Sequence, residues 1–204
     1  MNNFLSLYRE LLKKHGAPEG QWGLWCRRPK TIRQREEVII GAILTQNTNW
    51  QNVTKAIANL KRAKKCSLKE ISELKSTELE KSIQPSGFYK VKAKYLQGVA
   101  KYILESGGVG RLMKRDIKEL RDEILKLKGV GPETADSILL YALDWPVFVI
   151  DEYTRRLAQA RRLARKFNYE YLRKLFEVNL PGKFELYQDF HALIVVEGKE
   201  QNKK

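Results

Sequence analysis

Two short stretches of the chain carry residue types and spacings that could do chemistry. The first sets two glycines around one apolar residue, Gly129-Val130-Gly131, and continues with Pro132 and Glu133. Glycines allow a positive φ and a close approach of the backbone to a ligand, and proline is favoured at the first position of a helix. The free amides and the dipole of such a helix point into the turn, which suits an anion such as a phosphate. The alternative is an ordinary tight turn between two helices.

The second stretch places Asp151 at the end of an apolar run that begins at Pro146. A carboxylate in this position is either the N-cap of the next helix or a partly desolvated acid with a functional role. The two interpretations are compatible. The spacing therefore predicts an anion-binding turn followed by an acidic group.

Composition favours a polyanion as the partner. The 204 residues contain 39 Lys and Arg against 24 Asp and Glu, a formal net charge of +15. Such an excess suits nucleic acid first and an anionic membrane surface second, and a Lys/Glu-rich surface without a ligand is the alternative. No apolar run approaches the ~20 residues that a membrane-spanning helix needs, and the N-terminus lacks a signal-peptide pattern. We therefore expect a cytoplasmic protein.

The two cysteines and two histidines exclude several kinds of site. Cys26 and Cys66 cannot form a disulfide framework, a four-cysteine zinc site or a four-cysteine iron–sulfur site within the chain. His15 and His191 are too few for a histidine-rich metal site. We expect His191 to be a hydrogen-bonded structural residue rather than a general base, and we predict no metal ligands.

Helices must position both stretches. Apolar residues recur with helical spacing over most of the chain and almost never alternate as in a strand, which predicts an all-α fold. Capping-box patterns predict helix starts at Ser67 and Thr77. Polar residues interrupt an apolar helix at 45–49, and another apolar helix is predicted over 135–143.

Several motifs together resemble one known family. They lie at residues 127–136, 149–156, 41–50, 85–89 with 92–94, and 191–195 with 198–199. This combination resembles the helix-hairpin-helix DNA glycosylases of the endonuclease III superfamily, and within it the endonuclease III-related, 3-methyladenine DNA glycosylase III branch. The resemblance spans nearly the whole chain from about Trp22.

The resemblance implies an all-α, two-lobed helix-hairpin-helix glycosylase fold with the pocket between the lobes. The central six-helix lobe is expected at residues 31–136, ending in the hairpin, and the second lobe at 1–30 with 137–204. Many relatives end in a four-cysteine iron–sulfur loop. Because no cysteine follows Lys199, we expect no cluster. The expected partner is double-stranded DNA with a damaged base, bound by a monomer associated with the nucleoid.

One departure from the family pattern changes the expected reaction. Bifunctional members carry a lysine nucleophile where this chain has Glu133, and without that amine no Schiff base forms by the usual route. The resemblance therefore implies a monofunctional enzyme in which water displaces an alkylated purine, with Asp151 stabilising the oxocarbenium-like sugar. The alternatives are uracil, mismatch or oxidised-base specificity, an AP lyase activity, or a DNA-binding module without catalysis.

The resemblance also implies roles for other residues. Those expected at the base pocket are Trp50, Trp25, Trp22, Gln46 and Lys199, although Trp22 and Trp25 could instead bury loop surface. Those expected to contact DNA are Lys128, Gly129, Val130, Gly131, Thr134, Gly87, Phe88, Tyr89 and Lys92. No metal or redox cofactor is expected. The family allows a monovalent cation in the hairpin and carbamylation of Lys199.

Overall fold

The computed structural model describes residues 3–201, and within that range it contains α-helices and no β-strand. The predicted all-α class is confirmed. In chain order the helices are α1 Asn3–His15, α2 Trp22–Trp25, α3 Ile32–Leu44, α4 Trp50–Arg62, α5 Leu68–Glu73, α6 Ser76–Ile83, α7 Tyr89–Glu105, α8 Val109–Leu112, α9 Ile117–Leu125, α10 Pro132–Ser137, α11 Glu152–Ala160, α12 Tyr169–Asn179 and α13 Phe184–Gln201.

Two segments of other helical types join these elements. A 3₁₀ turn spans Gln84–Ser86, and a π-helix spans Ile138–Ala142 directly after α10. The helix predicted over 135–143 is therefore present as far as Ala142, but its larger part is a π-helix rather than an α-helix. A π-helix widens the turn by one residue and often occurs at functional sites, and this one contains Tyr141.

The chain divides into two compact units. One consists of the chain up to Arg28 together with the chain from Leu139 onward, and the other is Pro29–Ile138. The assignment of functional lobes to residues 31–136 and to 1–30 with 137–204 stays a prediction.

The capping patterns show how far local sequence fixes helix ends. The hydroxyl of Ser67 accepts the backbone N–H of Glu70 at 3.2 Å, so the predicted start of α5 is confirmed. The predicted start at Thr77 was wrong, because α6 begins at Ser76 and its N-cap, Lys75, makes no side-chain capping bond. A hydroxyl in the right pattern caps a helix only if its own residue has an extended backbone, whereas Thr77 lies inside α6.

Each unit has its own apolar core. In the unit Pro29–Ile138, residues 38–44 of α3 are all buried, so this helix is enclosed by the others. In the other unit, Phe148 stacks on Phe176 with ring centroids 4.4 Å apart, and Phe190 packs edge-on against Phe148 at 5.7 Å. Along residues 3–201, no helix combines the length and apolarity that crossing a bilayer requires.

Candidate functional site

The glycine turn joins α9 to α10 in the unit Pro29–Ile138. Gly129 adopts a φ of +82°, and a Cβ atom added there would lie 2.1 Å from the Tyr95 ring. The expected need for glycine is therefore confirmed at this position on two grounds, backbone conformation and space. Gly131 is different. It caps α10 with a φ of −90°, and a Cβ atom there would meet nothing within 4 Å.

A buried ion pair fixes the two helices of the hairpin. Arg121 of α9 donates through Nε and Nη2 to the two carboxylate oxygens of Asp136 in α10, at 2.7 and 3.0 Å. The Asp136 side chain is fully buried. Two parallel charge-assisted bonds fix orientation as well as distance, so they hold α9 and α10 at one angle around the turn.

Gln46 joins the turn after α3 to this hairpin. Its amide Nε2 donates to the carbonyl oxygen of Gly129 at 2.8 Å and to the hydroxyl of Thr134 at 3.0 Å. Sequence reasoning placed Gln46 at a base and the other two at DNA phosphates, and the structure brings the three together. The carbonyl of Gly129 is already engaged by this amide, so the hairpin cation stays a prediction.

Lys92 lies in the interior rather than at a surface that a phosphate could reach. Only 2% of the residue is exposed. Its ammonium donates to the carbonyl oxygens of Leu44 at 2.8 Å and Ser86 at 2.7 Å, and burial lowers the pKa of Lys92 to about 8. The expected phosphate contact does not fit this position, because the amine ties the end of α3 to the 3₁₀ turn.

The loop before α7 presents an aromatic side chain. Gly87 and Phe88 have successive positive φ values of 66° and 48°, and Phe88 is 69% exposed. A left-handed conformation costs a non-glycine residue roughly 1–2 kcal/mol. Tyr89 is half-buried. Sequence reasoning named Gly87, Phe88 and Tyr89 as DNA contacts, and the exposed ring of Phe88 leaves that role a prediction.

The other residues expected on this unit lie at helix ends. Lys128 is exposed, whereas Val130 is buried beneath the turn. Glu133 is exposed in the first turn of α10, and Trp50 is the half-exposed first residue of α4. Their roles stay predictions.

Asp151 belongs to the unit that contains both ends of the chain. Its Oδ1 accepts the backbone N–H of Thr154 at 2.7 Å, so the expected N-cap of α11 is confirmed. Its Oδ2 lies 3.5 Å from Nε2 of His191, and 14% of the side chain is exposed. Burial raises the pKa of Asp151, but the charge of His191 and the bonds from Thr154 outweigh it and leave that pKa below its usual range.

His191 is a neighbour of Asp151 that sequence reasoning did not place there. It is hydrogen-bonded, as expected, with its Nδ1 2.7 Å from the Tyr141 hydroxyl. The same ring also turns its second nitrogen toward Asp151. No local pattern could reveal this, because His191 lies on α13, 40 residues beyond the carboxylate.

Trp22 and Trp25 of α2 pack edge-on to each other with ring centroids 5.9 Å apart. They are 6% and 7% exposed, and both lie against Tyr141. Trp22 also packs edge-on against His191 at 5.8 Å. Lys199 donates to the side-chain oxygen of Gln21 at 2.7 Å, just before α2. Base stacking by these tryptophans and carbamylation of Lys199 stay predictions.

One group of potential metal ligands lies elsewhere in this unit. His15, Glu197 and Glu200 have ligand atoms within 4.8 Å of one another. The ammonium of Lys14 lies 2.5 Å from Glu197 and 3.9 Å from Glu200. Because a cation already compensates these carboxylates, the group is accounted for as an ion-pair network between α1 and α13.

Comparison with known proteins adds to this geometry. Residues 40–181 match the family model described as HhH-GPD superfamily base excision DNA repair protein. A protein of Methanocaldococcus jannaschii, named provisionally as a DNA repair glycosylase, is 46% identical over 165 residues, covering 79% of this chain and 75% of that protein.

Solved structures show the same similarity. The Helicobacter pylori 3-methyladenine DNA glycosylase MagIII, bound to 1,N6-ethenoadenine, superposes with a TM-score of 0.80 at 29% identity, covering 98% of this chain and 97% of that one. A trapped covalent complex of endonuclease III with DNA gives a TM-score of 0.74 at 19% identity, covering 98% and 87%. The second likeness concerns the fold alone.

Proposed function

Because this chain belongs to the HhH-GPD superfamily of base excision DNA repair proteins, we propose that it is a monofunctional DNA N-glycosylase. It hydrolyses the bond between an alkylated, 3-methyladenine-like purine and its sugar in duplex DNA. A base in a duplex must leave the stack before its glycosidic bond is accessible. The enzyme therefore flips the damaged nucleotide.

The environment of Asp151 is the observation that carries the proposal. Cleavage of the glycosidic bond leaves an oxocarbenium-like sugar with developing positive charge. Asp151 is partly exposed, its Oδ1 is held by Thr154, and its pKa lies below the usual range. A fixed anion in a water-poor setting stabilises such a charge and needs little reorganisation during the reaction.

Alkylated purines suit a site with one catalytic carboxylate. Methylation makes the purine cationic, so it leaves without strong acid catalysis. The 29% identity and near-complete coverage of the 3-methyladenine DNA glycosylase MagIII support this substrate class. Trp22, whose ring packs against His191, is the proposed stacking partner of an electron-poor base, and such stacking is worth ~1–3 kcal/mol per base.

Glu133 supports hydrolysis without strand cleavage. It occupies the first turn of α10 and is exposed. A carboxylate cannot form the Schiff base through which a lysine nucleophile opens the sugar. Water is then the group that attacks C1′, and Asp151 can orient it.

In this proposal the glycine turn binds the phosphate backbone of DNA. A Cβ atom on Gly131 would meet nothing within 4 Å, and Lys128, three residues earlier, is exposed. Backbone amides and a nearby cation bind phosphate irrespective of base sequence. The net charge of +15 strengthens association with any duplex.

Base release tests the reaction and the substrate class together. Purified protein is incubated with methylated, uracil-containing and 8-oxoguanine-containing duplexes, and free bases are measured. We expect release from the methylated duplex and a loss of about 100-fold or more in Asp151→Asn, as for removal of an electrostatic stabiliser. Release of another base alone would overturn the substrate class. Tight duplex binding without any release would favour a DNA-binding module.

Borohydride trapping tests the absence of a lyase step. Protein, damaged duplex and sodium borohydride are combined, and covalent complexes are resolved by denaturing electrophoresis. We expect none, and we expect strand breaks only after hot alkali, which cleaves the abasic product. A trapped complex that depends on one lysine would contradict the monofunctional assignment.

A further inference from the structure

The ring of His191 is confined so that its two nitrogens face two different groups. Nδ1 lies 2.7 Å from the hydroxyl of Tyr141, and Nε2 lies 3.5 Å from Oδ2 of Asp151. Trp22 and Phe148 pack edge-on against the ring. The His191 side chain is 6% exposed. Among residues 3–201, the buried Nε2 makes no hydrogen bond of good geometry, so the Asp151 oxygen 3.5 Å away is the acceptor that suits it.

Hydrogen counting restricts the protonation states that fit. The Tyr141 hydroxyl has one hydrogen and lies 3.1 Å from the carbonyl oxygen of Gln188, which can only accept. If that hydrogen goes to Gln188, Nδ1 of His191 donates to Tyr141. A neutral ring would then direct the Nε2 lone pair at the Asp151 carboxylate, which is repulsive.

Two states remove this repulsion. In the first, His191 is an imidazolium that donates from both nitrogens, to Tyr141 and to Asp151. In the second, Tyr141 donates its hydrogen to Nδ1 and the neutral ring carries its hydrogen on Nε2. In both states a hydrogen on Nε2 faces the carboxylate. We infer that His191, held by Tyr141, is a positioning residue that presents an Nε2 hydrogen to Asp151 and keeps its carboxylate ionised and oriented for base excision.

This inference deepens the proposed function and rests on it. Asp151 has two oxygens to fix, and the N–H of Thr154 holds only one. A donor on the second oxygen restricts rotation of the carboxylate and favours its charged form. The Tyr141 hydroxyl that holds the ring feels the charges of Cys26, after α2, and of Asp189 on α13, which pairs with Arg28.

A pair of amide variants separates the two contacts of the ring. The amide of His191→Asn can replace Nδ1 beside Tyr141 but is too short to reach Asp151. The amide of His191→Gln can place an N–H near the former Nε2. We expect His191→Asn to slow single-turnover base release by about 10- to 100-fold, the range for a lost hydrogen bond to a charged group. We expect His191→Gln to restore much of this loss. His15→Gln, which removes the other histidine, serves as the control.

The pH profile separates positioning from a general structural effect. Because His191 lowers the pKa of Asp151, its removal should move the acidic limb of the rate profile to higher pH. Equal slowing at every pH, or no difference between His191→Asn and His191→Gln, would overturn the inference.

A spectroscopic readout needs neither activity nor a catalytic variant. The chain has two histidines, so His15→Gln leaves His191 as the only imidazole in a ¹⁵N–¹H correlation spectrum. We expect a hydrogen on Nε2 at neutral pH, and a bare Nε2 with a hydrogen on Nδ1 would overturn the inference. Absence of base release from every duplex by the wild-type protein would overturn the proposed function instead, and the spectrum would still locate the hydrogen.

Discussion

The side-chain amide of Gln46 donates to the carbonyl oxygen of Gly129 at 2.8 Å, across 83 residues of sequence. It therefore fastens the turn after α3 to the glycine turn of the hairpin. The same nitrogen donates to Thr134 at the start of α10. These hydrogen bonds join two loops, the one after α3 and the glycine turn. The sequence had suggested that the first acts on a nucleotide and the second on a phosphate. The two loops must therefore either move together or break these hydrogen bonds.

Gln46→Ala should loosen this connection. The Gly129 carbonyl and the Thr134 hydroxyl lose their donor, which should lower the free energy of unfolding by about 1 kcal/mol. Chemical denaturation measures the change, and fluorescence anisotropy with a labelled duplex measures binding. Gln51→Ala, an exposed position on α4, is the matched control. Equal stability of the two variants would show that the bonds contribute nothing.

The two glycines of the hairpin should respond differently to alanine. Gly129→Ala should lower the free energy of unfolding by about 2–4 kcal/mol, because it adds left-handed strain and a clash with Tyr95. Gly131→Ala should change it by less than ~0.5 kcal/mol, as expected for a tolerated surface position. Thermal or chemical denaturation distinguishes these outcomes.

Gly131, although it should matter little for stability, should matter for the affinity for duplex DNA. Gly131→Ala places a methyl group in the open space over the turn, so it should weaken binding of any duplex while the protein stays folded. Unchanged affinity would remove this face of the turn from the DNA interface. Adding Tyr95→Ala to Gly129→Ala should recover part of the lost stability, because it removes the clash but not the strain.

Lys92 should make stability depend on pH in the alkaline range. Its pKa is about 8 in the folded protein and 10.5 as the ordinary value. Between these values the unfolded chain holds a proton that the folded protein has released, so stability should rise with pH from about 8 to 10.5. Denaturation of the wild type and of Lys92→Met across this window tests the rise.

The Lys92→Met variant should lack that rise. It should also be less stable at pH 7 by about 1–3 kcal/mol, because two buried carbonyl oxygens lose their donor. Lys90→Met, at an exposed position of α7, is the control. A Lys92→Met protein with wild-type stability and duplex affinity would show that neither a structural nor a phosphate role is needed.

Glu197 should make stability depend on pH in the acidic range. Burial raises its pKa, but bonds from Lys14, His15 and Gln201 outweigh this and lower the pKa of Glu197 to about 2, from an ordinary value of 4.5. A carboxylate with a lowered folded pKa stabilises the fold above its unfolded pKa. This contribution should therefore be lost as pH falls from 4.5 toward 2.

Glu197→Gln should remove most of that acid dependence. At pH 7 the substitution should lower the free energy of unfolding by about 1–2 kcal/mol. This range is kept low because the Lys14 partner is half-exposed and solvent screens its charge. Glu200→Gln removes a carboxylate that is 54% exposed and should cost less than ~0.5 kcal/mol. Similar acid unfolding curves for wild type and Glu197→Gln would assign the acid sensitivity to other carboxylates.

Local sequence determined the features that depend on a few neighbouring residues. The helical spacing of apolar residues predicted the all-α class, the Asp151 pattern predicted the cap of α11, and the need for Gly129 followed from the turn. Caps and turns are formed by hydrogen bonds between residues three or four positions apart. A short segment of sequence is therefore enough to predict them. The family assignment had the same basis, because its motifs are short and ordered.

Only the tertiary structure decided which distant side chains meet. The sequence places Tyr141, Asp151 and His191 on three separate elements, and their contacts span up to 50 residues. It also gave no sign that Lys92 is buried, since lysine is usually exposed and the residue lies on a helix with an exposed face. Such contacts depend on the rotation and depth of packed helices, which helical spacing does not specify to within a hydrogen-bond length. The sequence identified the carboxylate, whereas packing decided that a histidine lies beside it.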